Sequence, residues 1–91
     1  MGQRPASEFA TFEQAVETAV GLACTRFGFC RLPVSFERIL KREDAISADE
    51  LAARIVRESG FEPLTNPNTK DLVKAFEDFF GGKTLSRDMY P

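Results

Sequence analysis

The chain has no histidine, no tryptophan and only two cysteines among its 91 residues. Histidine is the side chain most often used to move protons near neutral pH, so an acid–base centre of the usual kind is not expected. Cys24 and Cys30 are too few for the disulfide framework of a small secreted domain. No stretch approaches the roughly 18 apolar residues of a transmembrane helix. Neither sign of charge dominates. Twelve basic and 14 acidic residues leave a net −2, which gives no strong pull toward nucleic acid or anionic lipid. Met1–Ala6 has no apolar signal core, and Ala6 stands where a myristoylation motif has Ser or Thr, so neither a cleaved leader nor an acyl anchor is expected. These absences point to a cytoplasmic protein without a membrane partner.

What is present suits a single small domain. Hydrophobic residues make up 43% and charged residues 29%, a globular balance that disordered chains do not show. The best-specified stretch is 46–61. Ser47 and Glu50 form an S-x-x-E capping box, and Leu51, Ala52, Ile55 and Val56 follow at helical spacing. Gly60 can take the left-handed conformation that closes a helix. Thr11 and Gln14 form a second box, ahead of Phe12, Val16, Ala19, Val20, Ala23 and Phe27, with Gly28 as the stop. Gly21 inside that helix costs about 1 kcal/mol against alanine, a cost most easily tolerated where another backbone packs closely.

Ser35 opens a short segment with Phe36, Ile39 and Leu40 inward, and Pro67 is placed for the first turn of a last helix bearing Leu72, Val73, Phe76, Phe79 and Phe80. The expected fold is all-α, with four helices at approximately 11–27, 35–43, 48–59 and 67–80. Residues 1–8 are expected as a flexible arm, 9–82 as the helical domain, and 83–91 as a tail with room for one further helical turn.

Ile46-Ser47-Ala48-Asp49-Glu50-Leu51 resembles the second half of an EF-hand calcium loop, and Lys83-Thr84-Leu85-Ser86 repeats it more weakly. The resemblance implies a helix–loop–helix pair. Calcium binding needs oxygen ligands at loop positions 1, 3 and 5 and glycine at 6. Counting back from Glu50 as position 12 puts Ile39, Lys41, Glu43 and Asp44 there. Counting from Asp78 as position 1 puts Met89 where the bidentate acid should stand. No metal and no cofactor are expected. The acidic pairs Glu43-Asp44, Asp49-Glu50 and Glu77-Asp78 make no metal site by themselves, since adjacent helical residues point in different directions, and Asp49 and Glu50 lie in a first turn that favours negative charge.

The segments 35–43 and 48–59 also have the order of a helix-turn-helix. A reading helix points its first residues into the DNA groove, and here those are Asp49 and Glu50, which phosphate repels. DNA regulation therefore stands as the alternative reading. Cys24 and Cys30 are expected as structural thiols, with a Cys24–Cys30 bridge or a redox-sensing Cys30 beside Arg31 as the alternatives.

Nine phenylalanines exceed what four short helices bury comfortably. The surplus predicts a non-catalytic protein–protein interaction or adaptor module, or self-association, through an apolar patch. Phe29, Phe61, Phe79 and Phe80 are its candidate lining, and Arg38, Lys41 and Arg42 its polar rim.

Overall fold

The computed structural model describes residues 4–90. Four α-helices run Phe12–Phe27 (α1), Val34–Leu40 (α2), Ala48–Glu58 (α3) and Asn68–Phe80 (α4). Two short strands, Ala45–Ser47 (β1) and Thr84–Ser86 (β2), pair antiparallel with Ile46 opposite Leu85. Single 3-10 turns at Ala6–Glu8 and Arg87–Met89 complete the order. The domain is mostly helical but not purely all-α. The expectation of a sheet-free fold fails because β1 and β2 are each three residues long, and short pieces with no local strand partner leave no periodic signal.

Local chemistry explains the helix ends. The Thr11 hydroxyl accepts from the Gln14 backbone N–H at 3.1 Å, and the Ser47 hydroxyl from that of Glu50 at 3.1 Å. Glu50 does not complete a reciprocal box, because its carboxylate turns toward Arg54, 3.6 Å away. α3 closes on Gly60, whose φ of +92° is open to glycine at no steric cost. Phe61 N–H then donates to Val56 O and Gly60 N–H to Arg57 O, the paired bonds of a Schellman end.

One core runs through all elements. Phe12, Leu40, Ile46, Leu51, Ile55, Leu72, Phe76 and Leu85 are sealed from solvent. The chain's beginning and end join this core. Ala6 is fully buried, and the Tyr90 hydroxyl donates to its carbonyl at 2.6 Å. Residues 4–8 therefore are not a free arm, while residues 1–3 and 91 lie outside the described residues. Gly21 has no atom within 4 Å of where a Cβ would stand, so no close backbone approach explains it. Among the described residues no helix is long and apolar enough to cross a membrane.

Cys24 and Cys30 are joined in a disulfide, against the expectation of two thiols. Gly28, at φ +80°, turns the chain back so that Cys30 lies over the last turn of α1, with a Cα–Cα distance of 4.4 Å. Spacing in the sequence does not show this return.

Candidate functional site

The loop from Ile39 to Glu50, counted as a calcium loop, carries carboxylates at positions 5 and 12, which are Glu43 and Glu50. Their cation is Arg54. Its Nη1 lies 2.8 Å from Glu43 Oε1 and 3.6 Å from Glu50 Oε1. Backbone carbonyls on the same loop are taken by a second guanidinium. Arg87, just beyond β2, donates through Nη2 to the carbonyls of Lys41 and Glu43 and through Nη1 to Glu13 Oε2 at 2.8 Å. Its backbone N–H donates to Asp44 O at 2.8 Å, and its guanidinium stacks 4.5 Å over the Phe12 ring. Two arginines thus take up oxygens that a cation would otherwise satisfy. Among the described residues no group of acidic or cysteine side chains is arranged to hold a metal ion.

Arg87 leaves an electrostatic mark. Its hydrogen bond holds the Glu13 carboxyl below the usual glutamate value. On the neighbouring face, the Lys41 ammonium bonds Glu17 and lies 3.8 Å from Glu37, and the hydrogen bond with Glu17 raises its pKa.

The expected interaction residues do not form one surface. Phe79 and Phe80 are each only 4% exposed. Phe79 packs edge-on against Phe9 at 5.9 Å, and Phe80 stacks on Phe76 at 6.0 Å. Both are core residues: Phe9, just after the 3-10 turn at Ala6–Glu8, covers Phe79, and Phe80 is held between Phe76 and Phe79. Arg38 and Arg42 are exposed and Lys41 is ion-paired, but none of the three lines the clefts described next.

Phe29 and Phe61 do meet. Their rings are edge to face at 6.4 Å, Phe29 buried beneath and Phe61 55% exposed above. They border an open cleft of about 600 Å³, also lined by Phe27, Cys30, Arg31 and the Asn66–Asn68 turn that begins α4. A second cleft of about 350 Å³ lies across the connector, between Val20, Leu32, Val34 and Phe36. Phe29 and Cys30 line both. The connector 28–33 is therefore a ridge between two hollows, tied at one point by the disulfide.

Four exposed apolar side chains among the described residues fall outside the expected set. Leu64 is 94% exposed, Val34 83%, Ile39 49% and Met89 40%. Leu64 was legible in principle, since a leucine within the proline- and asparagine-rich loop 62–68 has no helical face to bury it. Ile39, expected inward, lies at the rim of α2 because that short helix buries the face carrying Phe36 and Leu40, one turn apart, and leaves Ile39 beside it.

Comparison with family models, curated proteins and solved structures finds no match to this chain.

Proposed function

We propose that this chain is a small, non-catalytic protein-interaction module of the cytoplasm. It is built on an EF-hand-like helix–loop–helix pair whose cations are its own arginines. Its partner is a peptide segment that presents an aromatic or aliphatic anchor beside a carboxylate. The observation that supports this best is Phe61, half exposed over buried Phe29 at the mouth of the larger cleft. An aromatic with one face free and a firm seat beneath is the usual form of a binding anchor.

Charge chooses the partner's chemistry. Among the residues lining that cleft, Arg31 alone carries a charge. The first turn of α4, at Asn68, opens onto the same cleft and adds the positive end of a helix dipole. Leu64, three residues beyond Phe61, is a second exposed apolar side chain on the same loop, outside the cleft lining. The DNA alternative has less to draw on. Arg54 and Lys41 are engaged in ion pairs, and Asp49 and Glu50 stand exposed at the first turn of α3.

A fluorescent peptide series that varies an aromatic anchor and an adjacent Asp or Glu tests the reading by anisotropy. Binding that is lost in Phe61→Ala and weakened in Arg31→Glu is the expected result. Binding indifferent to both substitutions, or none across the series, overturns it. Light scattering over a range of concentrations separates occupancy of the cleft by a second copy.

A further inference from the structure

We infer that the Cys24–Cys30 bridge is a thiol-exchange site that controls the Phe29–Phe61 edge. The inference deepens the docking reading above and rests on it only for its biological use. Cys30 is exposed, whereas Cys24 is half-buried on α1, so an incoming thiolate reaches the Cys30 sulfur first. Arg31, the adjacent residue, is also exposed and its positive charge favours an anionic attacker.

The attacker is a small cytoplasmic thiol of the glutathione class. Its thiolate forms a mixed disulfide with Cys30 Sγ as the Cys24–Cys30 bond breaks, and Cys24 departs as a thiolate that takes a proton from water. A second small thiolate then attacks the small-molecule sulfur of the mixed disulfide, and Cys30 leaves as a thiolate and is protonated. The protein disulfide gains two electrons, and two small thiols become one small disulfide. Bridges of cytosolic proteins, where they occur, are usually transient ones of this kind.

The placement of the bridge gives the exchange its consequence. Gly28 N–H donates to Cys24 O at 3.0 Å and Phe29 N–H to Ala23 O at 3.2 Å, so the end of α1 stays closed without the bridge. Beyond Cys30 the restraint is thinner. Among the described residues neither Arg31 nor Leu32 makes a backbone hydrogen bond to another segment. The bridge is therefore the main covalent or polar tie on the outer half of the ridge between the clefts. Opening it frees that half and widens both hollows where Cys30 lines them, baring more of the Phe29 ring edge beneath Phe61, while the Phe29 backbone keeps its bond to Ala23 and the helices remain.

The test uses the full chain, air-oxidised or equilibrated with reduced glutathione. Thiols are counted by alkylation and mass, helix by circular dichroism, and the surface by an apolar fluorescent dye and by NMR of the Phe29 and Phe61 rings. The expected result is full alkylation of both cysteines at unchanged helix content, a severalfold rise in dye fluorescence and shifted signals from both rings. The Cys24→Ser, Cys30→Ser double variant should resemble the reduced protein and ignore glutathione. Equal dye binding and ring signals in the two states overturn the inference, and so do thiols that appear only as the helix signal disappears. Because none of these readouts uses a peptide, a failure of the docking reading is seen separately.

Discussion

Ile46 and Leu85 face each other across the β1–β2 pair, 1% and 0% exposed, and link the loop before α3 to the loop after α4. Each stands at the eighth place of its loop when the two are counted from Ile39 and from Asp78. Between them they close one end of the core. Leu85→Ala should cost about 3 kcal/mol, the usual range for a buried leucine being roughly 2–5 kcal/mol. Urea unfolding measures it. A loss below that of an exposed-site control would mean that the strand pair does not seal the core.

Arg87 should matter more than its surface position suggests. Arg87→Met removes donors from the carbonyls of Lys41 and Glu43, and charged hydrogen bonds of this kind are worth about 1.5–3 kcal/mol each at most. The variant should also change the pH dependence. Glu13 has a depressed folded-state pKa, chiefly through the Arg87 hydrogen bond, so its contribution is present above its ordinary value of 4.5 and fades as pH falls through the folded value. The stability of Arg87→Met should therefore fall less steeply than wild type below pH 4.5, as followed by thermal melts across that range.

Gly21 gives a prediction in the stabilising direction. With open space at its Cβ position and a place well inside α1, Gly21→Ala should add about 1 kcal/mol. A denaturation midpoint unchanged or lowered would mean that the added methyl meets a contact within the folded chain that offsets the gain in helix propensity.

Surface and core aromatics should separate cleanly. Phe76→Ala should cost about 3–5 kcal/mol, since that ring is fully buried. Leu64→Ala, at a position 94% exposed, should stay within about 0.5 kcal/mol of wild type and yet reduce peptide binding. A binding curve that Leu64→Ala leaves untouched would confine the docking surface to Phe61 and Arg31.

Calcium should have no effect on melting. A ligand at one hundred times its dissociation constant adds about 2.7 kcal/mol, so millimolar calcium would visibly raise the midpoint of any protein with a working loop. A clear rise would mean that Arg54 and Arg87 yield their oxygens to the ion.

Sequence by itself determined that there are four helices and where three of them begin and end; the second, expected over 35–43 from a Ser35 cap, runs Val34–Leu40 from Pro33 with no side-chain cap. Thr11 and Ser47 as caps, and Gly28 and Gly60 as stops, act on backbone within one turn of themselves, so their meaning travels with the local residues. It also marked Phe61 as hard to bury, and the loop 39–50 as a poor calcium ligand set, since both follow from residue type at a stated place. Tertiary structure alone decided which of the surplus phenylalanines remain outside. Phe79 falls under Phe9, whereas Phe61 stays 55% exposed, and no helical period encodes a cover supplied by the other end of the chain. The same holds for Ile46 with Leu85, for Arg87 with Glu13, and for Cys24 with Cys30. Each is a partnership made by chain reversal, and the free energy that selects it is the burial of a shared core, which belongs to the whole fold and to no single segment.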